Sequence, residues 1–145
     1  MISLVSTWPL KNGCPPELQR MLQGLAQQVE ECEPGTLTYL VNLEANSPIK
    51  SVHSKIEIKV PPPPPIPLAE QKAVIFIEMY QDVEAFAKHV SGPVFTKFQK
   101  DAEEYFIPNA AMSSSTRTNT PMLVQQSGFI RPEVLKLIDG SSQQD

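Results

Sequence analysis

The side chains able to do chemistry are few, and several sit in apolar surroundings. Glu78 is the only charge in the strand-like run "AVIFIEMY", residues 73–80. A carboxylate so placed must find a donor or hold its proton more tightly than in water. A salt bridge to a helix or a partner subunit is one reading of it, and a proton acceptor in a cavity is the other. His89 lies in the helical pattern "VEAFAKHV". An imidazole can take a phenolic proton near neutral pH and later return it, so a catalytic role stands beside a structural one in the core or at a dimer rim. Trp8, Tyr39, Tyr80 and Phe95 can stack on a flat aromatic substrate, with the tyrosine hydroxyls orienting its oxygens, or can simply be core.

Other chemistries find no footing. The formal charge is −4 and the twelve basic residues are scattered, which argues against nucleic acid as a partner. There is no Gly-rich phosphate loop, HExxH, paired-Cys zinc spacing or G-x-S-x-G elbow. His53 has no second ligand at metal spacing and reads as solvent-exposed, so neither a metal nor another cofactor is expected. Arg117 and Arg131 read as solvated or tail residues, with an anion-holding role as the alternative. No run reaches the ~18–20 apolar residues of a membrane span, and "MISLVSTWPLKNG" lacks a basic leader, so a cytoplasmic location is expected. Cys14 and Cys32 flank a predicted helix, about 25 Å apart at ~1.5 Å per residue, and are expected to be free thiols.

The elements that must position these side chains follow from periodicity. Residues 2–8 alternate and read as a strand. Pro15 and Pro16 open a helix on which Leu18, Met21, Leu22, Leu25 and Val29 recur at helical spacing, and "EPG" closes it. Residues 36–44 follow with period two, apolar on both faces. "SVHSKIEIKV" reads as a flanking strand or an extended arm, and 73–80 as a nearly continuous apolar strand. Asp82 caps a short helix whose apolar face is predicted as Val83, Phe86, Ala87 and Val90. Pro93 starts another, with Val94, Phe95, Phe98, Ala102, Tyr105 and Phe106 as its stripe, ending near Pro108. Residues 110–120 read as a mobile loop, "PMLVQQSGFIR" holds a last strand, and "PEVLKLIDG" a terminal helical turn.

This order predicts an α+β domain, a ferredoxin-like split βαβ sandwich with an antiparallel sheet and helices on one face. Strands apolar on both faces then need a second cover, and the same sheet of another subunit supplies it, giving a homodimer by sheet-to-sheet packing. The five prolines of "KVPPPPPIPLAEQ" lie inside an insert at about residues 45–72. A structural arm is the preferred reading over a docking peptide or a linker. The expected organisation is one domain over 1–131 and a tail over 132–145.

A first strand leading into "LKNG", a helix closed by "EPGTLTYLV", the strand "VIFIEMYQD" and "EAFAKHVSGPVFTKF" resemble the antibiotic biosynthesis monooxygenase (ABM) family. The match covers residues 2–106, apart from the insert. The resemblance implies a dimeric α/β barrel with a small-molecule cavity between helices and sheet. It also implies oxidation of quinols and polyketide-like aromatics by molecular oxygen without flavin, metal or haem. Haem-degrading relatives carry an iron-ligating His where this chain has Phe98, and an Asn where it has Ser6 or Thr7. Phe cannot ligate iron, so haem degradation is not expected, and Phe98 joins the aromatic substrate-binding set. The function expected is cofactor-independent monooxygenation of an electron-rich small aromatic or quinol. A non-catalytic dimeric binding or stress-related module of the same fold is the alternative.

Overall fold

The computed structural model describes residues 1–52, 55–61, 63–108 and 122–134. His53, Arg117, the predicted loop at 110–120 and the tail beyond 134 lie outside the described residues. The elements are β1 (Ile2–Pro9), α1 (Pro16–Cys32), β2 (Thr36–Ala45), β3 (Ile49–Val52), β4 (Lys55–Ile58), β5 (Ala73–Tyr80), α2 (Val83–Ser91), α3 (Pro93–Asp101) and β6 (Met122–Ile130). A 3-10 turn, Leu68–Glu70, precedes β5.

Four strands form an antiparallel sheet in the order β1-β5-β2-β6. The chain crosses from β1 through α1 to β2 and leaves a gap that β5 fills. It then crosses from β5 through α2 and α3 to β6, skipping β2. The result is an α+β sheet-and-helix plan that agrees coarsely with a ferredoxin-like fold. Alternation decides which side chains meet the helices. Tyr39, Val41 and Leu43 of β2 and Val74 and Phe76 of β5 join Leu18, Leu22, Leu25, Ala26 and Val29 of α1 in the core. Along the inward side of β5 the next alternate positions are Glu78 and Tyr80, so the same strand turns from apolar to polar within one row.

The insert folds back on the sheet. Ile49–Val52 and Lys55–Ile58 pair as a separate two-stranded ribbon, β3 with β4, so the single run predicted at 51–60 is broken into the second half of one strand and the whole of another. After it the proline segment runs beside the end of β2. Asn46 Nδ2 donates to the Pro64 carbonyl at 2.7 Å. The Gln71 side-chain amide accepts from Glu44 N and donates to Glu44 O, both at 3.0 Å. Since a primary amide presents the same donor and acceptor as a peptide, Gln71 continues the β2 ladder one step past the last β5 pair. The proline segment is thus tied down at the end of β2.

Two helices depart from their sequence patterns. α3 stops at Asp101, and Ala102–Tyr105 turn instead of continuing to 108. Lys11 N donates to Tyr105 O and Ile107 N to Pro9 O, both at 2.9 Å, so bonds to the end of β1 pull the chain out of the helix. Ala102 and Phe106 still reach the core. On α2 the predicted face is rotated. Val83 and Val90 are 69% and 41% exposed, whereas His89 is 1% exposed and is the buried residue of the helix.

Candidate functional site

The rotation of α2 follows from one close approach. A Cβ on Gly35 would fall 2.7 Å from the Ala85 Cβ, so only glycine lets α2 lie this near the turn after α1. Gln81 N donates to Gly35 O at 2.9 Å and fixes the start of the helix against the same turn. Asp82 caps that start by accepting from Ala85 N at 2.8 Å. With Ala85 seated on Gly35, the residue one turn on, His89, faces Glu33. Its Nδ1 lies 2.7 Å from Glu33 Oε2, and the same oxygen accepts from Thr36 Oγ1 at 3.3 Å. The "EPG" turn and the "EA-x-x-x-H" helix thus form one contact, with glycine and alanine setting the distance and glutamate and histidine making the bond.

Arg131 holds the other side of this turn. Its guanidinium donates to the carbonyls of Thr36 at 2.9 Å and Glu30 at 2.7 Å, and stacks over Phe129 with 5.0 Å to the ring centre. The carbonyls at the end of α1 need donors, and a cation there also complements the helix dipole. Arg131 is therefore a clamp between β6 and α1, in contrast to the solvated or anion-holding role expected from sequence.

Behind His89 the polar row of β5 comes into range. The Tyr80 hydroxyl donates a hydrogen bond to Glu78. Burial pushes the Glu78 carboxyl above its usual range, opposed by the Tyr80 hydrogen bond, the nearby His89 and the Ser6 hydroxyl. Burial and the neighbouring carboxylates also raise both Tyr39 and Tyr80, so both hydroxyls keep their protons at neutral pH and do not serve as bases. The His89 ring has its centre 5.5 Å from Tyr39, 5.4 Å from Tyr80 and 4.8 Å from Phe95. Among the described residues, Tyr39 Oη is the buried side-chain polar atom without a hydrogen-bond partner.

All seven residues singled out from sequence fall in one region. Phe95 bridges it, touching His89 on one side and Trp8, at 5.9 Å, on the other. Trp8 in turn meets Phe76 at 5.8 Å, Phe106 at 5.3 Å and Phe98 at 6.3 Å, and its indole N–H donates to Ser6 Oγ at 3.2 Å. Aromatic side chains thus interlock through this end of the space between sheet and helices. Glu33 was missed from sequence as anything more than part of a helix-ending turn. The signal was available: small residues at 35 and 85 allow close contact, and 89 lies one turn after 85.

Surface recesses reach the cluster. A cleft of about 360 Å³ is lined by Glu33, Gly35, Thr36, Asp82, Ala85 and Lys88 among others, and Glu33 joins it to buried His89. A groove of about 370 Å³ between α1 and α3, with Met21, Gly24, Leu25 and Val94 in its walls, has Phe98 as its link to the aromatic interior. Among the described residues no group of three or more His, Cys, Asp or Glu is placed to hold a metal, and no helix is long and apolar enough to cross a membrane. Cys14 and Cys32 are free thiols. No family model, curated protein or solved structure matches the chain.

Proposed function

We propose that the chain is an ABM-like domain that oxidises an electron-rich aromatic or quinol with molecular oxygen, using the Glu33–His89 and Glu78–Tyr80 region to handle protons. One observation carries this reading: α2 buries His89 and leaves Val83 and Val90 exposed. Burial of two valines in place of an imidazole would gain apolar contact on the order of 1.5–3 kcal/mol each, so packing alone does not favour this rotation. A base next to bound phenol forms a phenolate, which is electron-rich enough to reduce oxygen directly. For a ring-activated methylene the balance closes without another reductant: CH2 and O2 give C=O and H2O. Tyr39 and Tyr80 orient the substrate oxygens through their hydroxyls, and Trp8, Phe95 and Phe98 flank the ring.

In this reading two copies pair through the outer sheet face, where Val5 is 67% exposed and Ile77 and Met79 lie half-buried beside it. The free cysteines suit a reducing, cytoplasmic setting. The second reading, a binding module without turnover, is favoured by the interlocked rings around Trp8. Oxygen uptake against a panel of hydroquinones, polyphenols and anthrone-type compounds separates the two. Monooxygenation predicts uptake above autoxidation that falls on the order of 100-fold in His89→Ala, compared at equal folded fraction. Uptake at background for the whole panel, or unchanged in the variant, overturns it. Light scattering tests the pairing, and a mass of 16.1 kDa, that of one chain, would count against it.

A further inference from the structure

His89 and the cleft beside it are connected through a single side chain. Glu33 is half-buried, forms part of the cleft wall, and places Oε2 2.7 Å from His89 Nδ1. A carboxylate oxygen can only accept, so Nδ1 carries the hydrogen in this bond, and in the neutral ring Nε2 is the nitrogen left to accept another. We propose that Glu33 and His89 form a proton relay between the interior and this cleft, with Glu33 both fixing the ring tautomer and passing the Nδ1 proton to water.

The relay rests on the reading of His89 as the base, and its balance is closed. A substrate O–H gives its proton to Nε2, the Nδ1 proton passes to the Glu33 carboxylate, and Glu33 releases it to a water in the cleft. The ring is left in the opposite tautomer. A proton returning through Glu33 to Nδ1, with delivery of the Nε2 proton to a product oxygen, resets it. No other oxidant, reductant or base takes part in these steps.

The surroundings of the pair favour this direction of travel. From β2, β5 and α3 the imidazole faces Tyr39, Tyr80 and Phe95, with the Glu78 carboxyl behind Tyr80. Both tyrosines are raised well above their ordinary range and do not compete for the proton at neutral pH. Glu33 is the polar group that touches both the buried ring and the cleft, whose rim also carries Asp82, Glu84 and Lys88. Glu33 is a positioning residue here, since it acts on substrate only through the imidazole.

Nitrogen-15 NMR of the His89 ring in the full chain tests the relay without any substrate. At a pH where the ring is neutral, the expected result is protonation at Nδ1. In Glu33→Gln, which keeps the size and an accepting oxygen, exchange of the Nδ1 proton with water becomes slower on the order of tenfold or more. Glu33→Asp, with its carboxylate withdrawn from the ring, is expected to populate the Nε2-protonated tautomer. A wild-type ring protonated at Nε2 overturns the proposal whatever the variants do, as does an exchange rate unchanged in Glu33→Gln. A correct tautomer with no oxygen uptake would remove the oxidative function and leave the relay standing. The wrong tautomer with uptake would do the reverse.

Discussion

The inward row of β5 begins with Val74 and Phe76 and ends with Glu78 and Tyr80, and the two halves of this row are held by different forces. Around Phe76 the partners are Trp8, Tyr39 and Phe98, in tilted and edge-on ring contacts 5.8–6.4 Å apart. Around Tyr80 the partners are Glu78, Phe86 and His89, and the contacts include a hydroxyl–carboxyl hydrogen bond. Apolar burial is non-directional and tolerates small displacements. A buried carboxyl keeps its donors only in one geometry, so the polar half specifies position where the apolar half supplies stability.

The largest expected effect lies in the apolar half. Phe76→Ala removes the ring that joins Trp8, Tyr39 and Phe98 and is expected to cost about 3–5 kcal/mol. Urea denaturation measures this. A loss below about 1 kcal/mol would mean that the sheet is held to the helices chiefly by α1, and the contrast between the halves would fail.

This half was also the more legible in sequence. Leu18, Leu22, Leu25 and Val29 on α1, and the alternation of Tyr39, Val41 and Leu43, repeat with the periods that a helix and a strand impose. The same rule was only partly right on α2: Val83, Phe86, Ala87 and Val90 make an acceptable stripe, but only Phe86 of these packs inward, on Tyr80, and it does so beside Ala85 and His89. Hydrophobic period registers how apolar each position is; it does not register that Gly35 leaves room for Ala85 or that Glu33 waits opposite His89. The early end of α3 escaped for a related reason. Its stripe through Phe106 is real, but backbone bonds to Pro9 and Lys11, distant in sequence, decide where the helix stops. The candidate residues His89, Glu78, Tyr39 and Tyr80 were found as chemically unusual side chains, whereas the pairings between them were not.

The next effect is in the polar half and depends on pH. Tyr80→Phe removes the Tyr80 hydroxyl from the Glu78 carboxyl, leaving Ser6 as its hydroxyl partner, and is expected to cost about 1–3 kcal/mol. Glu78 holds its proton more tightly in the folded chain than its ordinary value of 4.5, mainly through burial. Stability from such a group is fully present below the ordinary value and is lost as pH rises through the folded one. The stability of the wild type relative to Glu78→Gln should therefore decline above about pH 4.5, by ~1.4 kcal/mol for each tenfold difference in proton affinity between folded and unfolded states. The Tyr80 hydrogen bond lowers the Glu78 value, so its removal should carry the decline to higher pH. Denaturation of wild type, Glu78→Gln and Tyr80→Phe from pH 4 to 8 measures both. A difference that is flat with pH would show that Glu78 is not desolvated in the fold.

The smallest expected effect separates the two tyrosines. Tyr80 and Tyr39 are equally buried, yet Tyr80 Oη has Glu78, and Tyr39 Oη has no partner among the described residues. A buried hydroxyl without a partner loses its hydration and gains nothing in exchange, so deleting it removes a cost. Tyr39→Phe is expected to change stability by less than about 0.5 kcal/mol or to raise it by up to ~1 kcal/mol, in contrast to the loss for Tyr80→Phe. The ring contacts to Phe76 and His89 are kept in both cases. If the hydroxyl serves a bound phenol or carbonyl, Tyr39→Phe should weaken that ligand while leaving or improving the fold, which calorimetry and thermal melting read on the same sample. A stability loss on the scale of Tyr80→Phe would mean that Tyr39 Oη has a structural partner in the folded chain, and the difference between the tyrosines would no longer point to a ligand.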